Sequence, residues 1–355
     1  MLKNKKLIIG FSFVIQIIML KVLANFPEFV ERYYSNGLYV FISKLMRYSF
    51  GWLPFSMGDI LYTLLAVYVI RWFVLNRKRV LKDTKNFSLD ILSAFSIGYF
   101  AFHMLWAINY YRLPLHKSLQ INDVYNTEEL VTFTTQLIAK SNTIQVALTG
   151  NDSTKVEFPY SKTELLDMVP QGYHKLAKTF PHLDYQPQSL KRSIYSLQLT
   201  YMGFSGYLNP FTNEAQIDGL LPAYKYPTTS SHEAAHQLGY AAENEANFIG
   251  SMAAMHHKNP YFNYSGYTFA LNYCLNELYK TDPETYERLS KTINEGIKKN
   301  FREVRDFWNA YENPLEPAFK SSYNSYLKAN NQAKGIESYN YAVALWVNYF
   351  KTNPL

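Results

Sequence analysis

Three apolar runs in the first third of the chain constrain its fold more than any other feature. They cover about residues 7–24, 60–75 and 89–110. Each is close to the roughly 20 residues with which an α-helix crosses a bilayer. Because lipid offers no partners to backbone N–H and C=O groups, such runs must be helical if they lie in a membrane. We therefore predict a membrane anchor over residues 1–111 with three transmembrane helices.

Basic residues flank these runs in a pattern that predicts their orientation. Lys5 and Lys6 precede the first run, and the connection between the second and third contains Arg77, Lys78, Arg79, Lys82 and Lys85. The positive-inside rule places both groups in the cytoplasm. Three spans then put residues 112–355 outside, so we expect a multi-pass protein of the cell membrane with an extracytoplasmic domain. A cleaved signal peptide is the alternative for the first run, since it shares the basic start and the apolar core.

The charge and cysteine content exclude some classes of protein. The formal net charge is +7, but many of the basic side chains lie beside apolar runs, and no basic stripe with interleaved aromatic residues is present. We therefore predict the lipid bilayer as a partner and no nucleic acid. The single cysteine, Cys274, excludes an intrachain disulfide. Its apolar surroundings at 269–278 predict a buried side chain.

After residue 111 the composition becomes that of a water-soluble, mostly helical domain. Residues 190–202 fit either a helix or a strand. Residues 205–219 are spaced as in a strand, and Pro210 favours an edge because it cannot donate a ladder hydrogen bond. The predicted fold class is mainly α, with a small edge-strand sheet in the second domain. Apolar residues at helical spacing predict helices at about 127–139, 162–180, 242–257, 267–279, 283–299, 301–311 and 336–350.

The segment His232-Glu233-Ala234-Ala235-His236 has the pattern H-E-x-x-H. Residues four apart share one face of a helix, so His232 and His236 can present imidazole nitrogens to one metal ion. Glu233 is placed to reach a water beside that ion, which is the position of the general base in zinc peptidases. A catalytic zinc site has three protein ligands and an open fourth position. The pattern therefore predicts a Zn²⁺ site that needs one more ligand.

The best third ligand follows within a few residues. Gly239 is typical of a helix end, and a second helix is expected to start around Ala242. Glu243 then lies in its first turn, where a carboxylate also suits the helix dipole. Glu245 lies roughly 200° round the same helix, so we predict Glu243 as the ligand and Glu245 as its substitute. Asn247, one turn after Glu243, can orient a ligand.

Two simpler interpretations of the motif remain open. Ser230 and Glu233 are spaced as in a capping box, which would make Glu233 a structural residue. His232 and His236 would then be a hydrogen-bonded polar pair on an ordinary helix.

The block H-E-A-A-H followed by E-x-x-A-N resembles the arrangement of gluzincin metallopeptidases, from which Asn247 departs, since the family has Asp there. The resemblance implies a zincin-like α+β domain with catalytic Glu233 and zinc ligands His232, His236 and Glu243. It also implies an edge strand before the metal helix that pairs with an extended substrate, here residues 210–217. An ordinary hairpin packed on the helix is the alternative for those residues.

The whole chain is also similar to an uncharacterised family of bacterial membrane proteins. The matching segments are residues 33–39, 51–59, 210–215 and the H-E-x-x-H block. This resemblance implies the architecture and carries no substrate.

Together these patterns predict a membrane-anchored zinc metallopeptidase that hydrolyses a peptide or protein substrate. A membrane sensor or scaffold with a structural metal site is the alternative, and it would need a fourth protein ligand. An intramembrane protease is disfavoured, because the motif lies in a polar context and not within an apolar run. No pattern selects the oligomeric state or the Tyr or His that would stabilise an oxyanion.

Overall fold

Helices account for most of the structure, a computed structural model that describes the backbone of residues 2–355 and the side chains of residues 5–337 and 341–355. The α-helices of seven or more residues are α1 (Leu2–Leu23), α2 (Tyr39–Phe50), α3 (Met57–Asn76), α4 (Thr84–Leu105), α5 (Thr127–Thr149), α6 (Lys162–Leu176), α7 (Ser196–Met202), α8 (Tyr226–Gln237), α9 (Glu243–Met255), α10 (Pro260–Thr281), α11 (Pro283–Ser290), α12 (Glu295–Ala310), α13 (Glu316–Ala329) and α14 (Ala342–Phe350). The nine-residue segment Val30–Leu38 is a π-helix and the seven-residue segment Gly335–Tyr341 is a 3-10 helix. Shorter helical segments are Pro27–Phe29, Arg79–Lys82, Ala107–Tyr111, Leu115–Ser118, Pro181–Leu183 and Ala223–Lys225. The strands are β1 (Leu190–Arg192), β2 (Gly206–Leu208) and β3 (Ala215–Ile217).

The predicted fold class is confirmed: the chain is mainly helical, with a three-stranded sheet and three apolar helices near the N-terminus. Helices α1, α3 and α4 are each long and apolar enough to cross a membrane. The third begins earlier than its apolar run and ends at Leu105, where a tight helical turn, Ala107–Tyr111, takes over. Helices α1 and α4 run parallel. Helix α3 runs the opposite way, because the short connection of residues 77–83 reverses the chain before α4.

The segments that follow the apolar helices pack directly onto the second half of the chain. The hydroxyls of Tyr39 and Ser43 donate to the carbonyl of Gln237 at 3.1 and 2.8 Å. The indole N–H of Trp106 donates to the carbonyl of His236 at 3.1 Å. Both carbonyls lie at the end of α8, where a helix leaves such groups without partners of its own. The carbonyl of His236 also accepts from the backbone N–H of Gly239. The predicted division at residue 111 stays a prediction, and these contacts cross it.

The sheet has the order β1-β3-β2, with β1 parallel and β2 antiparallel to β3. The ambiguous segment 190–202 divides into β1 and α7. The prediction of an edge strand over residues 210–217 is wrong, because β3 is the central strand and β1 and β2 are the edge strands. The reason is the turn before β3: the Asn209 side chain accepts from the backbone N–H of Phe211, and Asn213 has φ 51°. The hairpin alternative is what the structure contains.

Helices α8 and α9 form a closely packed pair next to this sheet. Gly239, with φ 88°, reverses the chain between them as predicted. A Cβ added at Gly250 would come within 2.6 Å of the backbone nitrogen of His232, so only glycine permits this approach. Ala234 and Ala235 are fully buried in the same core. Cys274, on the adjacent α10, is buried as predicted.

Candidate metal centre

Helices α8 and α9 bring His232, His236 and Glu243 together. One ligand atom from each side chain lies within 4.8 Å of the others. Glu243 Oε2 is 3.2 Å from His232 Nε2 and 3.5 Å from His236 Nε2. The two histidines are one turn apart on α8, and Glu243 is the first residue of α9, so the close packing of the two helices sets these distances.

Acceptors on the far side of both rings determine which nitrogen faces the cluster centre. His232 Nδ1 lies 2.9 Å from Asn247 Oδ1, and His236 Nδ1 lies 2.7 Å from the carbonyl of Tyr240. Since each partner accepts a hydrogen bond, each Nδ1 carries a proton, and each Nε2 is the atom left to bind a metal ion when the ring is neutral. The contact to Asn247 is the one expected from the sequence, with an amide oxygen as the acceptor.

The donor set fits a metal ion of the zinc type. Two imidazole nitrogens and a carboxylate oxygen are ordinary zinc ligands. Bonds of about 2.0–2.1 Å at tetrahedral angles separate neighbouring ligand atoms by about 3.3 Å, close to the separations of Glu243 Oε2 from the two rings. Three such acceptors cannot converge in a buried place without a cation or protons between them. Burial disfavours a charged His236, but the Glu243 carboxylate outweighs burial and raises the pKa of His236 to about 9.

A residue from far along the chain holds the other oxygen of Glu243. The hydroxyl of Tyr323, on α13, donates to Glu243 Oε1 at 2.6 Å. This bond fixes the carboxylate so that Oε2 is directed at the two rings. Hydrogen bonds of this kind orient the ligands in metal sites. Sequence reasoning missed Tyr323, because eighty positions separate the two residues and no local pattern marks it.

Glu245 does not join the cluster. Its carboxylate accepts from the backbone N–H of Leu115 at 2.7 Å. Burial raises the pKa of Glu245 to about 7, although the nearby Arg112 favours the charged form. Of the two carboxylates considered as third ligand, the structure therefore places Glu243 with the histidines and Glu245 on the opposite side of α9.

Glu233 lies beside the cluster with its carboxylate almost completely buried. Its Oε1 is so close to β2 that a Cβ added at Gly206 would lie 2.9 Å from it. Its Oε2 is buried and has no hydrogen-bond partner among the described residues. Burial raises the pKa of this carboxyl. The capping-box interpretation is wrong, because α8 begins at Tyr226 and the Ser230 hydroxyl donates to the Tyr226 carbonyl within the helix.

A cavity of about 970 Å³ opens in front of these side chains. Its walls include His232, Glu233 and Glu243 on one side and all three residues of β2 on another. In the pairing of β2 with β3, Tyr207 lies opposite Gln216. Backbone hydrogen bonds on either side of this pair run from the Asn209 N–H to the Glu214 carbonyl and from the Asp218 N–H to the Ser205 carbonyl. Because antiparallel bonds alternate along a strand, the N–H and C=O groups of Gly206 and Leu208 point away from β3, to the free edge.

Comparison with known proteins gives one match. A family model described as a protein of unknown function (DUF3810) matches residues 34–347. No curated protein and no solved structure matches the chain. The matched range contains the complete cluster, β2 and two of the three apolar helices.

Proposed function

The chain belongs to the DUF3810 family, and we propose that it is a membrane-anchored zinc metallopeptidase resembling the gluzincins. The observation that carries the proposal is the cluster itself: two Nε2 atoms and one carboxylate oxygen converge in a buried place, and the Nδ1 atoms are held by acceptors. Zinc bound there would lower the pKa of a coordinated water and polarise the scissile carbonyl.

Glu233 is the proposed general base. Its buried Oε2 would accept a proton from the attacking water and then pass that proton to the leaving amine. Burial supports this role, because it raises the pKa of the carboxyl toward the range in which a group both accepts and releases a proton near neutral pH. Gly206 supports it too, since the absence of a side chain there leaves room for the carboxylate beside the strand.

The free edge of β2 is the proposed binding site for the substrate backbone. An extended peptide can add to a sheet edge through main-chain hydrogen bonds, and Gly206 and Leu208 offer the required N–H and C=O groups. The edge and Glu233 line the same cavity. A peptide held on β2 would therefore pass in front of the cluster, so we infer a peptide or protein substrate.

The orientation in the membrane follows from the basic residues. Lys6 pairs with Asp90 at 2.5 Å, and Arg79 pairs with Asp90 at 2.9 Å. The basic start of the chain and the basic connection between α3 and α4 therefore lie at the same end of the apolar helices, away from the metal cluster. The positive-inside rule assigns that end to the cytoplasm and the metal cluster to the extracytoplasmic side of the cell membrane.

The test compares two variants of the full-length chain purified in detergent. We expect wild type to bind about one zinc per chain and to cut members of a peptide library. Glu233→Gln should keep the zinc and the unfolding temperature and lose on the order of a hundredfold or more in cleavage rate. His236→Ala should lose the zinc and the cleavage together. Metal content by mass spectrometry and cleavage by liquid chromatography provide the two readouts.

Two outcomes would contradict the proposal. Full cleavage by a folded, zinc-loaded Glu233→Gln variant would exclude Glu233 as the base. Zinc binding without any cleavage would favour the sensor or scaffold. A structural zinc site needs four protein ligands, however, and the group of possible ligands has three members among the described residues.

A further inference from the structure

The cavity in front of the cluster of His232, His236 and Glu243 extends to the apolar helices. Its walls include Tyr62 of α3 and, from α4, Ala94, Phe95, Gly98, Tyr99 and Phe102. The same space thus has the cluster and β2 at one end and two membrane-spanning helices at the other. We call the part between α3 and α4 the cleft.

The cleft is open because α3 and α4 contact each other at one end and separate toward the other. The rings of Trp72 and Phe87 stack at 5.3 Å, at the end far from the cluster. At the near end, Tyr62 of α3 turns to the sheet, where its ring stacks on Tyr207 at 6.2 Å. A Cβ added at Gly98 would meet no atom within 4 Å, so open space lies beside this part of α4.

With α3 and α4 in a bilayer, as proposed, the cleft faces lipid. Phe95, one of its wall residues, is 57% exposed, and Gly98 is exposed as well. Both lie within a helix long and apolar enough to cross a membrane. A molecule in the bilayer can therefore reach the cavity sideways, between the helices, without passing through water.

The depth of the cleft indicates what fills it. Its wall on α4 extends from Phe102 to Ala94, eight positions apart and so about 12 Å along the helix. Ala94 is near the middle of α4, and the Trp72–Phe87 contact closes the cleft beyond it. One leaflet of a bilayer is about 15 Å deep, half of the ~30 Å hydrocarbon core. A transmembrane helix must cross both leaflets and would meet that contact, whereas an acyl chain ends within one leaflet.

We propose that the substrate is a lipid-modified peptide or protein whose acyl chain lies in the cleft while its backbone lies on β2, with a peptide bond near Glu233. This inference rests on the proposed function and names its substrate class. The geometry that supports it is the continuity of one cavity from α4 past Tyr62 and Tyr207 to the cluster. The acyl chain anchors the substrate at a fixed distance from the cluster, so cleavage should fall close to the lipid-bearing end.

The test uses a palmitoylated, dye-labelled hexapeptide with a photoreactive diazirine on its acyl chain. It is added to the zinc-loaded, full-length chain in phosphatidylcholine nanodiscs. Glu233→Gln is the background for labelling, because it should bind without cutting. We expect labels on the wall residues of α4 and on Tyr62. The Gly98→Trp variant, which fills the open space, should reduce labelling at least tenfold.

Ile97→Trp is the matched control. Ile97 is the neighbour of Gly98 on α4, is 57% exposed and does not line the cavity. Both variants place the same large side chain on the same helix in lipid. In both, the probe partitions into the bilayer to the same extent. A difference between them therefore reports on the cleft itself. Ile97→Trp should label as the parent does.

Activity separates this inference from the proposed function. With Glu233 intact, Gly98→Trp should keep its zinc and cut unacylated library peptides as wild type does, but cut the palmitoylated peptide at least tenfold more slowly. Equal labelling of the two tryptophan variants, or preferential labelling and cleavage of a peptide fused to a transmembrane helix, would overturn the inference. Labelling in the cleft without cleavage of any peptide would overturn the peptidase proposal and leave the acyl-binding site in place.

Discussion

The two sides of helix α4 differ in how they are packed. On one side α1 follows α4 closely: Ser12 Oγ lies 3.1 Å from Ser96 Oγ, and the rings of Phe13 and Tyr99 meet edge-on at 5.0 Å. On the other side, α3 stacks Trp72 on Phe87 and then separates from α4. The comparison teaches that α1 holds α4 in place along the packed side. Helix α4 can therefore keep its position on the open side, where α3 separates from it.

The largest loss of stability is expected from a substitution at Asp59, which attaches α3 to the sheet. The Asp59 carboxylate is fully buried and accepts from the Ser193 hydroxyl at 3.0 Å, the Ile194 N–H at 2.7 Å and the Tyr207 hydroxyl. Asp59→Ala leaves these buried donors unpaired, so the free energy of unfolding should fall by about 3 kcal/mol. Thermal unfolding of the full-length chain in detergent measures it. The exposed Asp306→Ala is the control, and equal shifts in both variants would show that Asp59 does not hold α3.

Two glycines test the comparison directly. A Cβ added at Gly10 of α1 would lie 3.2 Å from Leu92 Cδ2, whereas one added at Gly98 meets nothing within 4 Å. Gly10→Leu should therefore lower the free energy of unfolding by about 1–3 kcal/mol through overpacking. Gly98→Leu should change it by less than about 0.5 kcal/mol. Unfolding followed by tryptophan fluorescence gives both values, and the reverse order would mean that the packed and open sides have been assigned wrongly.

The smallest effect is expected at a single polar contact on the packed side. Ser96 Oγ lies 3.0 Å from Gln16 Nε2 as well as next to Ser12. Hydrogen bonds between membrane helices contribute about 0.6 kcal/mol on average, so Ser96→Ala should lower the free energy of unfolding by about that amount. Ser88→Ala, at an exposed position of the same helix, should change it less. A loss at Ser96 of several kcal/mol would mean that one bond, and not the whole interface, holds α1 to α4.

Local patterns predicted the apolar helices and most of the metal cluster, because the relevant residues are neighbours in the sequence. His232, His236 and Glu243 lie within twelve positions, where helix periodicity and one glycine determine the geometry. Their role as zinc ligands stays a prediction. The order of the strands was not predictable, since β3 pairs with β1 across an intervening helix and a hairpin.

The features that shape the cavity depend on contacts between distant residues. Tyr323 reaches Glu243 from eighty positions away, and Tyr62 meets Tyr207 from a separate apolar helix. Such pairs leave no periodic signal, because each residue alone is an ordinary aromatic side chain in an aromatic-rich chain. The sequence indicates the wrong edge strand for a related reason: a proline is typical of an edge strand, but Pro210 lies in the turn between β2 and β3.

The bonds from Trp106 and Tyr39 to the last carbonyls of α8 have a consequence for where this protein can work. They make the part of the chain before residue 112 a structural support of the helix that holds His232 and His236. Residues 112–355 alone would lack these groups, so the Gln237 carbonyl would lose the Tyr39 and Ser43 hydroxyls and the His236 carbonyl would keep, among the described residues, only the N–H of Gly239. For the peptidase that we propose, this means that activity is confined to the membrane in which the apolar helices lie, where a substrate is met by diffusion in two dimensions.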